Sequence, residues 1–173
     1  MAALTDLFDL ELTFLSACED ALDTIPGSAP GFGGSPARSF VSPGPPALDC
    51  PDQLTVHTGP INDGRTSGPV PSAPKFKINH VTLVATVARC VPIWDGQNPP
   101  TPAAQQAAAE QIEYDKWAMW NHLFNRWQEG LLFSRCGDVV WVGIQPLTNS
   151  GGIGGFTLTV RVSLDGYEEV IGT

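Results

Sequence analysis

Three kinds of hydrophobic pattern run along this chain. The first is helical. Leu4, Leu7, Phe8, Leu12, Leu15 and Leu22 fall near a spacing of three to four, which predicts an amphipathic helix over residues 4–23 with one apolar stripe. Thr5 is placed to cap it, and Asp6 and Asp9 lie in the first turns, where the helix dipole favours acids. Pro26-Gly27 ends it. The second pattern is a set of short apolar runs rich in β-branched residues. They predict strands over 37–42, 54–57 and 77–92. In the longest, Val81, Leu83, Ala85, Val87 and Cys90 stand among Thr82, Thr86 and Arg89, while Ile78, Val84 and Val91 add bulk. It reads as a central strand covered on much of both faces.

A long helix follows over 103–132. Thr101 is its cap and Pro102 its first residue, and Ala104 to Gln111 are strong helix formers. Ile112, Met119, Trp120, Leu123, Trp127 and Leu131 form its stripe, widened by Trp117 and Phe124, and the spacing puts Glu113 and Asp115 on the outer face. Gly130 weakens the last turn. The third pattern is strict alternation over 139–146 and again over 156–164, the mark of half-buried strands. The Gly-rich run 149–155 between them suits a hairpin connection, because Asn, Ser and Gly tolerate positive φ.

The remaining segments, 26–51 and 58–75, are crowded with Pro, Gly and Ser. Proline removes ladder donors, so they are predicted to be long projecting loops with a turn at Asn62-Asp63-Gly64. Together the elements define an α+β class. One domain over 1–173 has a mostly antiparallel β-sheet packed against the N-terminal helix and one long central helix, with long Pro/Gly-rich loops.

Charge and composition narrow the function. Nine Lys and Arg against 18 Asp and Glu give a net charge of −9, a poor equipment for gripping nucleic acid. No apolar run approaches the roughly 20 residues that span a bilayer, and acids stand where a signal peptide carries positive charge. Cys18, Cys50, Cys90 and Cys136 are widely spaced, without a CxxC pair, and His57, His80 and His122 are scattered. Buried free thiols in a reduced compartment are expected, with disulfides as the alternative and no metal site.

Catalytic motifs are missing as well. The glycines at 151–155 lead into a strand, with no lysine after them, so they do not match a phosphate-binding loop. No GxSxG elbow occurs. Glu19-Asp20 and Glu168-Glu169 are adjacent in sequence and read as solvated acids. Asp52, Asp63 and Asp95 lie in loops without calcium-loop spacing. The chain is expected to be no enzyme and to hold no cofactor. The helical stripe of Trp117, Trp120 and Trp127 reads as core, with a pocket lined by Trp94, Trp117, Trp120, Trp127 and Trp141 as the alternative.

The order of parts then carries a resemblance. The N-terminal amphipathic helix is followed by short strands and a long loop, then by "INHVTLVATVARCVP". After it comes a helix running into "WAMWNHLFNRWQEGLLFSRCGDVVWVGIQPLTNSGGIGGFTLTVRVSLDG". This layout resembles the neck and tail-completion proteins of long-tailed phages of actinobacteria, and within them the tail terminators. The resemblance implies a homo-oligomer of six copies in a ring at the head–tail junction of the virion, assembled in the host cytoplasm. Such a ring caps the last ring of the major tail tube protein, stops elongation, meets the head-tail connector and stopper proteins, and lets genomic DNA through its lumen. A net negative charge suits a channel that must not hold DNA. Ile61, Asp63 and Arg65 are then expected to make contacts between rings. Thr157, Thr159, Arg161 and Ser163 are expected on a subunit or lumen face, and the first helix is a second candidate for subunit contacts. The loops exceed what a minimal terminator needs. A head-tail stopper, another minor virion protein such as a capsid decoration protein, and a pocket-bearing enzyme or binding domain are the alternatives.

Overall fold

The structure, a computed structural model, describes residues 7–24, 34–49, 52–59, 80–94, 96–134, 136–148 and 151–163. Among these residues seven elements appear, in the order α1 (Leu7–Asp23), β1 (Arg38–Val41), β2 (Gln53–Thr58), β3 (His80–Cys90), α2 (Pro102–Gln128), β4 (Val139–Pro146) and β5 (Ile153–Ser163). The five strands form one sheet in the order β1-β2-β3-β5-β4. β1 runs parallel to β2 and every other pair is antiparallel, so the expected α+β architecture is what the chain adopts. Thr5 and Asp6, Cys50, the turn at 62–64, Asp95 and the acidic pair Glu168-Glu169 lie outside the described residues, as do Ile78 and Leu164 at two predicted strand ends.

Both helices pack on one face of the sheet. Leu54 and Val56 on β2, Val81, Leu83, Ala85 and Val87 on β3, and Phe156, Leu158, Val160 and Val162 on β5 supply that face. The period-two reading of β5 holds: its even-numbered residues from 156 are buried against the helices. Removing this much apolar surface from water is the main favourable term for the domain.

The buried stripe of α1 is rotated from its predicted phase. Leu10, Phe14, Leu15, Ala17, Cys18, Ala21 and Leu22 are buried, while Phe8 and Leu12 are exposed. Counting only leucines and one phenylalanine tilted the prediction toward the row 8–12. Small residues at 17, 18 and 21 mark the true face because they allow close approach. Glu11 is also buried, where its carboxylate accepts the Thr58 backbone N–H at 2.7 Å.

Helix α2 starts as its sequence dictates. Thr101 has extended backbone angles and its hydroxyl accepts the Ala104 N–H at 3.2 Å, with Pro102 first in the helix. Its end differs from expectation. Gly130, at φ +71°, does not weaken a continuing turn but stops the helix. The Gly130 N–H bonds Trp127 O and the Leu131 N–H bonds Arg126 O, which is the Schellman pattern that needs a left-handed residue at this position. Leu131 is consequently exposed and leaves the predicted stripe.

The Gly-rich run joins β4 to β5 as an antiparallel hairpin among the described residues, closing at Pro146 opposite Phe156. Gly155 is required there. A Cβ on it would sit 2.0 Å from Val87 O, at φ +151°, so β5 approaches β3 only because this residue has no side chain. Strand β4 contains a bulge between Trp141 and Gly143. Simple alternation groups Trp141 with Gly143 and Gln145. The extra residue, Val142, instead brings Ile144 and Pro146 opposite Leu158 and Phe156, on the helix side with Trp141.

Candidate assembly surfaces

The N-terminal half of α2 is held to the sheet by charge. Arg89 ends the helix-facing row of β3, and its Nε donates to Asp115 Oδ2 at 2.7 Å. Its Nη1 donates to Asp52 Oδ2 at 3.2 Å and its Nη2 to Gly34 O at 2.9 Å. Asp52 Oδ1 in turn accepts the Cys90 backbone N–H. One guanidinium thus ties together β3, α2, the chain before β2 and the chain before β1. This corrects the expectation that Asp115 faces outward: it is fully buried, and burial pushes its carboxyl above the usual range against the opposing pull of Arg89. The spacing argument failed because it scored Asp115 by polarity alone. Its helical neighbours at i+4 and i+8, Met119 and Leu123, are buried in the core, and Asp115 continues that row with a partner waiting on β3.

The tryptophans form a wall between α2 and β4. Trp141 lies at its centre, with ring centroids 5.8 Å from Trp120, 5.9 Å from Phe124 and 6.2 Å from Trp127. These edge-on contacts and the stacked pair Trp120–Phe124 are packing of aromatic on aromatic. One turn toward the N-terminus the wall loses its counterpart. Trp117 is 64% exposed. Opposite it the bulge places Gly143, whose missing Cβ faces open space. The result is an open cleft of about 360 Å³ lined by Glu113, Lys116, Trp117, Trp120, Gly143, Ile144 and Pro146. Its charged residues, Glu113 and Lys116, are paired with each other.

Thr157, Thr159, Arg161 and Ser163 all occupy the face of the sheet away from the helices, in register with Thr86, Val84, Thr82 and His80. Thr157 and Thr159 are half-buried and Arg161 is exposed. Ser163 is fully buried, which removes it from any surface. Its backbone is taken up at the start of β4, where Gly137 N and Asp138 O bond Ser163 O and N. Ile61, Asp63 and Arg65 lie outside the described residues. Sequence reasoning passed over the exposed apolar residues at the sheet edges: Phe40 on β1, and Val140 and Val142 on β4. The signal was present in β4, whose stretch from Val139 to Ile144 has no charge to blunt an edge.

The cysteines depart from expectation in one respect. Cys18 and Cys136 are free, and burial raises the Cys136 thiol to about 11. Cys90 is disulfide-bonded, not a buried free thiol. His57 is buried, and burial lowers its pKa despite the nearby Glu11 carboxylate. Among the described residues no group of His, Cys, Asp and Glu is assembled to hold a metal ion, and no helix is long and apolar enough to cross a membrane. No protein-family profile matches the chain, and no curated protein matches it in sequence.

Proposed function

We propose that this chain is a ring-forming structural protein of a phage neck, a tail terminator that caps the tail tube, stops its growth and joins it to the head connector. The observation that carries the reading is the one-sided sheet. Both helices occupy one face, and the other face presents a shorter polar row from Thr82, Thr157, Thr159 and Arg161 across β3 and β5, with Thr86 buried beside it. A subunit with one such face can turn it to a lumen or to a neighbour. The net charge of −9 disfavours adhesion of the chain as a whole to DNA, while the named face itself carries the cation Arg161. Contacts between rings are assigned to the loop carrying Ile61, Asp63 and Arg65.

Locating the chain in virions tests the reading. Antibody labelling at the junction of head and tail is the expected result, together with tails of uncontrolled length and unjoined heads when the gene is silenced. Label over the shell would make it a decoration protein instead, and label only on the head side of the junction a stopper. Removal of residues 61–71 should leave the fold intact and block joining. The cleft beside Trp117 lends a pocket-bearing domain no support: it is lined mainly by carbon and by the Glu113–Lys116 pair, where a binding site needs polar groups converging on a ligand.

A further inference from the structure

The two lateral flanks of the molecule both carry exposed apolar residues beside paired charges, Arg38–Asp49 on one and Glu113–Lys116 on the other, and they are complementary. Among the described residues nothing pairs with the outer edge of β1 or of β4, the first and last strands of the sheet. Natural sheets blunt such edges with charge, and β4 has none between Val139 and Gln145. Following the pairings across the sheet, β1 and β4 run in opposite directions. If β4 of one copy meets β1 of the next, the two edges therefore join antiparallel, extending the sheet.

The side chains agree with that joining in both layers. In the sheet layer, Phe40 on β1 pairs with Thr55, and Val140 on β4 with Arg161. The register puts both on the face away from the helices, and Phe40, Val140 and Val142 are all exposed. In the helix layer, α1 packs over β1, β2 and β3. Asp20 on one flank of α1 reaches Arg126 on α2 at 2.6 Å. Phe8 and Leu12, one turn apart, are exposed, and helical spacing turns them about 120° and 80° away from Asp20, off the side that meets α2. On the opposite side of the molecule, the helix layer leaves the open cleft between Trp117 and Gly143 next to β4. The flank that carries a ridge, Phe8 and Leu12, thus matches a flank that carries a cleft.

We infer that a second copy of this chain docks head to tail, with its β1 edge on β4 and its Phe8–Leu12 ridge in the Trp117–Gly143 cleft. This rests on the reading of the chain as a ring subunit and names the surface that builds the ring. The contact is heterologous, using different surfaces on the two copies, which is the kind that closes into a ring when the rotation per subunit permits. The antiparallel edges supply backbone hydrogen bonds, and the ridge and cleft supply apolar burial.

Two charge-introducing variants of the full chain test it. Phe40→Asp spoils only the β1 edge and Val142→Asp only the β4 edge. Each alone should sediment as a monomer under conditions where the wild-type chain oligomerises. An equal mixture of the two should form dimers and nothing larger, since it retains one good edge of each kind. Leu12→Asp should weaken wild-type assembly, and circular dichroism should show all three variants folded. A photo-crosslinker at position 142 should join peptides containing Arg38 to Val41 of another copy, which mixing isotope-labelled and unlabelled chains identifies. The inference is overturned if either edge variant keeps the wild-type mass, if position 142 crosslinks to position 142 of another copy or to a different protein, or if the wild-type chain stays monomeric at millimolar concentration. Virion localisation decides the functional reading separately. A chain found at the neck whose Phe40→Asp variant still assembles would sink the docking alone, and edge-specific assembly by a chain found elsewhere would sink the neck alone.

Discussion

Arg89 and Asp115 form an ion pair inside the protein, 2.7 Å apart, with side chains only 5% and 0% exposed. The pair joins the end of β3 to the middle of α2. Before Asp115 every residue of that helix is exposed or half-buried, so this contact decides where the helix's free half lies. The position of the helix sets the width of the cleft beside Trp117, and with it one flank of the proposed docking surface.

Breaking the pair from one side should be costly. Asp115→Ala leaves Arg89 buried with Asp52, one-third exposed, as its remaining carboxylate. Removing one member of a buried pair costs about 3–5 kcal/mol, whereas replacing both by apolar residues of similar size is often neutral. Urea denaturation should show Asp115→Ala strongly destabilised and the double variant Arg89→Met with Asp115→Leu recovering most of the loss. A single-variant loss below about 1 kcal/mol would mean that Asp52 and the Gly34 carbonyl suffice for Arg89.

Gly155 should tolerate no side chain. Alanine there meets Val87 O and the Ala88 Cα, both backbone atoms that cannot swing aside. Strained backbone costs about 1–3 kcal/mol by itself, and the clash adds to it. Gly155→Ala should therefore lose well over 3 kcal/mol or fail to accumulate folded. Gly151→Ala, strained at φ +59° but with open space around it, should lose only the smaller, conformational part.

The tryptophans separate into core and surface. Trp141→Ala removes the centre of the aromatic wall and should cost about 3–5 kcal/mol. Trp117→Ser should stay within about 0.5 kcal/mol when the dilute, unassembled chain is melted, and should affect assembly instead. Equal losses at the two positions would show that the cleft is part of the packed core.

Acid should act through His57. Its folded pKa lies below the ordinary value of 6.5 because of burial. The unfolded chain therefore takes up a proton more readily, so the stability from keeping His57 neutral is present above 6.5 and falls away as pH drops through the lower, folded value. Thermal melts from neutral to acid pH should show this decline, and His57→Gln should flatten it. Parallel curves for the two proteins would assign the acid response to other groups.

Local signals determined the elements. Alternation marks β5, Thr101-Pro102 starts α2, and a Pro-rich segment separates α1 from β1, because each of these rests on neighbours along the chain. The hairpin glycines were legible in the same way. Positive φ is a local property, so the run could be read as a turn and not as a phosphate cradle. What the sequence could not determine is which residues find partners far along the chain. Asp115 reads as a surface acid until Arg89 is brought against it from 26 residues away, and Phe8 reads as core until small residues set the face of α1. The bulge at Val142, which turns Ile144 inward and opens the cleft before Trp117, depends on the register of β4 against β5. Burial, pairing and register are properties of the assembled sheet, and they alone decided which apolar residues remain uncovered on the two flanks.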